Sequence, residues 1–283
     1  MRHDLSTDDF EPRVIQLVIY PVKGLAGQPC ETVQVLDRGF AWDRRWMLVG
    51  EGHTFLSQRQ LPRMAMIQAR IVGDELVLTH SNSQSKIAVP IQQPDRAPRT
   101  QVTIWKDQVE AVCVPDAGQW LSEIFDYACT LVFMPDTTRR QVNPAFARPG
   151  EIVSFADAYP ILLVGGASIS DLNARLSQPV PVDRFRPNIV VSTQEPFEED
   201  SWGELEIGSA LLRGAKASDR CSVPTIDQRT GERTGPEPIR TLSGFRRFGN
   251  GVFLGQNLTV RRPGRITVND RVRITGRISA VYA

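Results

Sequence analysis

Cysteine is scarce and scattered: Cys30, Cys113, Cys129 and Cys221, no two of them closer than sixteen positions. This spacing contains no C-x-x-C pair and no multi-cysteine run, which excludes zinc ribbons and a built-in iron–sulfur cluster. Histidine is scarcer still, with His3, His53 and His80 all far from one another, so a histidine-rich metal centre is excluded as well. The longest apolar run, "AYPILLVGGA", is too short to cross a bilayer. The start "MRHDLSTDDFEPR" has no apolar segment of the kind a secretory signal needs. With isolated thiols, these features point to a soluble protein of a reducing, cytoplasmic compartment with no membrane partner. A net charge of +1 lacks the excess of positive charge that nucleic-acid binding draws on.

The 283 residues suffice for one large domain or two ordinary ones. Most of the chain reads as short β-branched runs broken by Gly, Pro, Asn and Asp, among them "RVIQLVIYPV", "WMLVG", "ELVLTH" and "VTIWKDQVEAVCV". The expectation is a mainly β protein with a few helices. In "GRITVNDRVRITG" two alternating segments flank Asn269-Asp270, which predicts a hairpin. "DAGQWLSEIFDYA" predicts a helix with Asp116 as N-cap and Trp120, Leu121, Ile124 and Phe125 on its apolar side. "ASISDLNARL" predicts another, in which Ser168 and Asp171 have capping-box spacing. Between Met134 and Glu151 lies a stretch rich in Pro, Thr and Arg. It is either a solvated linker or a functional loop whose Arg139, Arg140 and Arg148 face an anionic ligand.

Four groups of residues have chemical potential. "YPVKGLAG" ends an apolar strand in a turn where Lys23 precedes Gly24, and such a turn can free backbone N–H groups for an anion. "WDRRWMLV" sets Arg44 and Arg45 behind Asp43, either as an anion fork held by the carboxylate or as a structural anchor. In "RFRPNIVV", Arg184 and Arg186 share a side if the segment is extended, with Asn188 at the start of a strand. "SDRCSVPTID" places Cys221 beside Arg220 and near Lys216, ahead of a polar turn containing Asp227. The other three cysteines read as small buried apolar residues. An exposed thiolate beside cations can attack an electrophile or bind a soft metal. Nucleophilic catalysis would call for a histidine partner, and one thiolate cannot hold a metal alone, so further donors would have to come from a cofactor.

These stretches, with "FADAYPILLVGGASISDLNARL", "EEDSWGELEIG", "EPIRTL" and "GVFLGQN", follow one another in order across residues 15–257. In that order the chain resembles the MOSC superfamily. It is most similar to the two-part members with an N-terminal β-barrel domain, the group of the mitochondrial amidoxime-reducing component and its bacterial counterparts. The resemblance implies a small N-terminal β-barrel domain over residues 1–135 and a MOSC β-barrel domain over 136–283. It also implies a molybdenum cofactor, a pterin whose dithiolene holds the metal, with Cys221 as the protein ligand. At the superfamily level it implies pyridoxal phosphate binding too. By the same resemblance Lys23, Gly24, Arg44, Arg186, Asn188 and Arg220 hold the cofactor, and Asp157, Ala158 and Tyr159 line the pocket. Asp227 is a proton carrier or a turn residue. The implied activity is reduction of N-hydroxylated compounds (hydroxylamines, amidoximes, N-hydroxylated bases) with electrons from a separate ferredoxin-, flavoprotein- or cytochrome b5-type protein. The alternative is a sulfur carrier or cofactor-transfer protein with a persulfide on Cys221. The chain departs from the family pattern at Gly24, where serine is common, and at "PTIDQ", where the family has "TT-x-D-P"; these changes bear on substrate choice more than on cofactor binding.

Overall fold

A computed structural model describes residues 10–93 and 96–283; His3 and the polar N-terminal stretch through residue 9 lie outside the described residues. The largest sheet runs in the order Val272–Arg277, Trp202–Ile207, Ala210–Asp219, Gly251–Arg262, Ile161–Gly165, Ile189–Val191, Val14–Ile19, Gln28–Cys30, with Arg247–Phe248 paired to one side. Three smaller sheets flank it. The mainly β expectation holds, but the ladder does not close into a barrel. Among the described residues its outer strands, Val272–Arg277 and Gln28–Cys30, do not pair; the two sides meet instead beside Val14–Ile19, through the bridge from Arg13 to Arg271 and backbone hydrogen bonds that join Pro12 and Val14 to residues 269–272.

Local sequence explains much of this pattern. In Thr32–Leu36 the alternating Val33 and Val35 are buried and their neighbours exposed, the period-two signature of a half-buried strand. Ile161–Gly165 and Ile189–Val191 are the parallel pair, and their apolar runs lack that alternation, as suits strands covered on both faces. A parallel pair needs a crossover. The helix Gly166–Arg175, labelled α2, supplies it after α1, Pro115–Phe125.

Neither helix is capped as its sequence suggested. In α1 the preceding strand runs straight to Val114, and Pro115 opens the helix, so Asp116 falls in the first turn. Proline suits that place because its fixed φ is helical and its missing N–H would have had no partner. In α2 the N-cap is Gly165, and Ser168 is buried inside the helix with its hydroxyl 2.8 Å from both carboxylate oxygens of Glu199. Glu199 also accepts from the Gly165 N–H at 3.0 Å, so the cap comes from a residue distant in sequence. Asp171 pairs instead with Arg175.

The Asn269-Asp270 turn forms, with the Asp270 N–H donating to the Thr267 carbonyl at 3.0 Å. The flanking strands do not form a hairpin, however: Gly264–Thr267 pairs with Thr32–Leu36 and Val272–Arg277 with Trp202–Ile207. Each strand finds its partner elsewhere because Ile266 and Val272 both insert into the central core.

That core joins both ends of the chain. Val14, Leu17, Ile19, Val33, Val35 and Phe40 pack with Leu163, Ile189, Trp202 and Leu258, so residues 14–40 share a core with the C-terminal half. A second core, centred on Trp46, Leu48, Leu78 and Leu121, lies under the N-terminal sheets.

Glu199 makes stability depend on pH. Burial pushes its carboxyl up to about 7 from 4.5, with the hydrogen bonds from Gly165 and Ser168 pulling the other way. Between these values the folded chain holds a proton that the unfolded chain has released, so its contribution is full below about 4.5 and is lost as pH rises towards 7. The wild type should lose on the order of 2–3 kcal/mol from this group between pH 5 and 7. Glu199→Gln should flatten that slope, which urea unfolding at the two pH values would measure.

Candidate functional site

One cleft, of about 260 Å³, opens between the turn at Lys23 and Gly24, the segment Ser57–Arg59, and the ends of the central strands. It is built from residues far apart in sequence, and the buried Asp43 carboxylate organises its inner wall. Asp43 Oδ1 accepts from the Tyr20 N–H at 2.8 Å and from Asn188 Nδ2 at 3.0 Å. Arg44 Nη1 donates to both Asp43 oxygens, at 2.8 and 2.7 Å, and to Asn188 Oδ1 at 2.9 Å. Arg44 and Arg186 lie over the Tyr20 ring, 4.4 and 4.3 Å from its centroid. Both arginines have left-handed backbone, with φ of 47° and 56°, a conformation that non-glycine residues adopt under constraint and often at functional sites.

Arg184 and Arg186 do not share a side as an extended segment would place them. Val182–Phe185 is a turn of 3-10 helix, which separates the two side chains. Arg186 enters the cleft and donates to the Leu25 carbonyl at 2.7 Å. Arg184 turns to Asp227 at 3.0 Å, to Thr234 Oγ1 at 3.1 Å and to the Pro224 carbonyl at 3.2 Å.

At the opposite wall, Lys23 forms an ion pair with Asp157, to which Trp105 Nε1 also donates at 3.1 Å. Burial pulls the Lys23 ammonium down from its ordinary value, with Asp157 opposing that shift. Desolvation alone would raise the Asp157 carboxyl. The charge and hydrogen bond of Lys23, with the indole of Trp105, instead hold it well below the usual carboxylate range. Gly24 has φ +84°, and a Cβ there would come within 2.6 Å of Met64 Cε, so the departure from serine matches the backbone and packing of this chain. Its carbonyl accepts from Gln58 Nε2 at 2.8 Å.

Cys221 follows the strand Ala210–Asp219 and is exposed on the cleft, with the Val223 N–H directed at its Sγ at 3.5 Å. The other three cysteines are half-buried, and burial pushes each of their thiols up. Arg220 beside it donates to Ser218 Oγ at 3.0 Å and to the Phe185 carbonyl at 2.8 Å, while its Nε is buried without a partner. Asp227 is absent from the cleft lining. Arg184 holds one of its oxygens, and the Arg229 N–H donates to the other at 2.8 Å.

The cleft therefore gathers Lys23, Gly24, Arg44, Asp157, Tyr159, Arg186, Asn188, Arg220 and Cys221, and leaves Asp227 outside. Of the loop arginines, Arg140 is buried on Asp107 and on the carbonyls of Ser154, Ala156 and Asp157, while Arg139 and Arg148 are exposed outside the cleft. Sequence reading missed Ser57, Gln58 and Arg59, where the polar run "SQRQ" was the available signal, and it missed Trp105 at the tip of a hairpin.

Six cationic side chains line the cleft against two carboxylates. Among the described residues neither Arg186 nor Arg220 forms an ion pair, and burial lowers both, Arg186 to about 10. Buried unpaired charge is costly and is relieved by a counter-charge. The geometry suits a polyanionic ligand, such as a phosphate ester, whose other end reaches a thiol able to bind a soft metal.

The family pattern described as the MOSC N-terminal beta barrel domain matches residues 11–127, and that of the MOSC domain matches residues 150–273. Mitochondrial amidoxime-reducing component 1 of Mus musculus is 34% identical over 281 residues, covering 93% of this chain and 82% of its own length. The Homo sapiens protein of that name is 32% identical over 281 residues, covering 93% and 83%. The molybdenum cofactor sulfurase of Drosophila grimshawi is 34% identical over 251 residues, 84% of this chain but 31% of its own length. The cleft and the two halves around it are those of a MOSC protein. This chain belongs to the two-part MOSC family that includes the mitochondrial amidoxime-reducing components.

Two substitutions separate the inner wall from the loop. Asp43→Ala leaves Arg44 and Asn188 buried without their acceptor and should cost about 3–5 kcal/mol in denaturant unfolding. Asp227→Asn keeps an acceptor for Arg184 and should change turnover less than about threefold if Asp227 serves the loop and not the reaction, which comparison of kcat with the wild type would check.

Proposed function

We propose that the protein is a molybdenum-cofactor-dependent reductase of N-hydroxylated compounds, supplied with electrons by a separate redox protein of ferredoxin, flavoprotein or cytochrome b5 type. The observation that carries this reading is the meeting in one cleft of an exposed thiol, Cys221, with Arg186 and Arg220, two half-buried guanidinium groups that among the described residues form no ion pair. The names of the relatives support it: amidoxime-reducing component and molybdenum cofactor sulfurase.

The residues present fit a phosphorylated pterin with a soft metal. Lys23, Arg44, Arg186 and Arg220 would hold its anionic end, and the Cys221 thiolate would ligate molybdenum. When bound, this cofactor would supply the two-electron redox chemistry that cleaves an N–O bond. The overall reaction takes one N-hydroxylated molecule, two electrons and two protons to the amine or amidine and one water. Asp43 keeps Arg44 aimed into the cleft, and Asn188 ties that carboxylate to the backbone at Val18. Tyr159, buried with its phenol pushed up to about 12, adds a neutral wall at neutral pH. Asp157 stays ionised at neutral pH and offers an acceptor on the open side.

The experiment is to measure molybdenum and pterin in wild type and Cys221→Ser from a cofactor-competent host, with reduction of an amidoxime by a chemical electron donor. Near-stoichiometric metal and turnover in the wild type, with loss of both or altered metal ligation in Cys221→Ser, is the expected result. Protein free of metal and pterin, with a persulfide on Cys221, would replace this reading with sulfur transfer, the activity class that the sulfurase match favours.

A further inference from the structure

Trp105 is placed at the cleft by more than chance packing. It occupies the turn between the strands Arg99–Ile104 and Asp107–Val114, and its φ of 57° is left-handed, a genuine outlier for a bulky aromatic residue. Three contacts hold it there. Its indole N–H donates to Asp157 at 3.1 Å, its ring lies 5.0 Å from the Phe55 ring, and the Arg59 guanidinium sits 4.7 Å from its centroid. Asp157 and Arg59 both line the cleft. Trp105 nonetheless remains 47% exposed, the only tryptophan among the exposed large apolar side chains. A hairpin from the N-terminal half thus carries a rigid aromatic plate to the cleft margin and leaves part of it uncovered.

Asp157 completes the arrangement. Lys23 and Trp105 both bind Oδ1, and among the described residues Oδ2 receives no hydrogen bond. The carboxylate is 66% exposed and ionised at neutral pH. An aromatic plate beside an open carboxylate oxygen suits a flat conjugated molecule that carries N–H or O–H donors at one end.

We infer that Trp105 and Asp157 form a substrate shelf that selects conjugated, planar N-hydroxylated compounds over aliphatic ones, the ring stacking on Trp105 and the N–OH or NH2 group donating to Asp157 Oδ2. This rests on the proposed reductase reading. Arg59, which lines the cleft, packs over the Trp105 ring, and Lys23 links the shelf to the cofactor end of the cleft through their shared oxygen on Asp157.

The test uses the cofactor-loaded protein with benzamidoxime and acetamidoxime as substrates, and with unreactive benzamidine and acetamidine as binding probes followed by tryptophan fluorescence. Trp105→Ala should raise KM for benzamidoxime about fivefold and KM for acetamidoxime no more than about twofold, the smaller change reflecting the lost indole bond to Asp157, so that the preference for the aromatic substrate narrows. Quenching by benzamidine should be strong in the wild type and largely lost in Trp105→Ala. Trp105→Phe keeps a ring without the indole N–H and should restore most of the discrimination. An equal change in KM for both substrates, or undiminished benzamidine quenching in Trp105→Ala, would overturn the shelf. A loaded wild type that reduces neither substrate would instead overturn the reductase reading, and the fluorescence titration would then decide the shelf by itself.

Discussion

The Asp43 carboxylate is 3% exposed and takes hydrogen bonds from a backbone N–H at Tyr20, an amide at Asn188 and a guanidinium at Arg44. Burial raises its carboxyl, while Arg44 and these hydrogen bonds work against that shift. Without them the group would be an isolated charge in the interior, which proteins avoid. Because the partners come from residue 20, residue 44 and residue 188, satisfying this one carboxylate fixes the N-terminal turn, the left-handed bend at Arg44 and the start of a central strand together. The shared core of Val14, Leu17 and Ile19 with Leu163 and Ile189 holds the same segments from the apolar side.

Around that fixed wall the cleft departs from what a folded protein does for stability alone. Most buried cations here are paired, as Arg140 is with Asp107 and Arg246 with Asp200. Among the described residues Arg186 and Arg220 have only carbonyl, hydroxyl and aromatic partners, although burial disfavours their charge. The folded chain therefore keeps an unfavourable electrostatic arrangement that an anionic ligand would relieve. The left-handed backbone at Arg44, Trp105 and Arg186 is strain located beside the same cleft, consistent with a site in which geometry is held in advance of binding.

Alternating β-branched residues and two apolar helix stripes made the β-rich class and the two longer helices readable from the chain, and the ordered short stretches, through the family resemblance, named about half of the residues that line the cleft. Three of the failures share one cause, whereas the cap expected at Asp116 is displaced locally by Pro115. Ser168 and Asp171 have the spacing of a cap, but Glu199, over thirty positions along, reaches the helix end first. Asn269-Asp270 has the composition of a hairpin turn, but Ile266 and Val272 gain more from the central core through other partners. Arg184 and Arg186 have strand spacing, yet the 3-10 turn sends one to Asp227 and the other to Tyr20. In each case a local rule was overridden by a long-range contact.

By itself the sequence determined the chemistry available: one thiol among cations, few histidines, and strands enough for a β-rich scaffold. These follow from residue type and short-range periodicity, which need no knowledge of distant partners. Only the tertiary structure decided which charges remain unpaired, that Asp227 stays with its loop, and that Trp105 stands beside Asp157. Pairing and exposure depend on which distant segments burial brings together, and a residue's neighbours in sequence do not specify them.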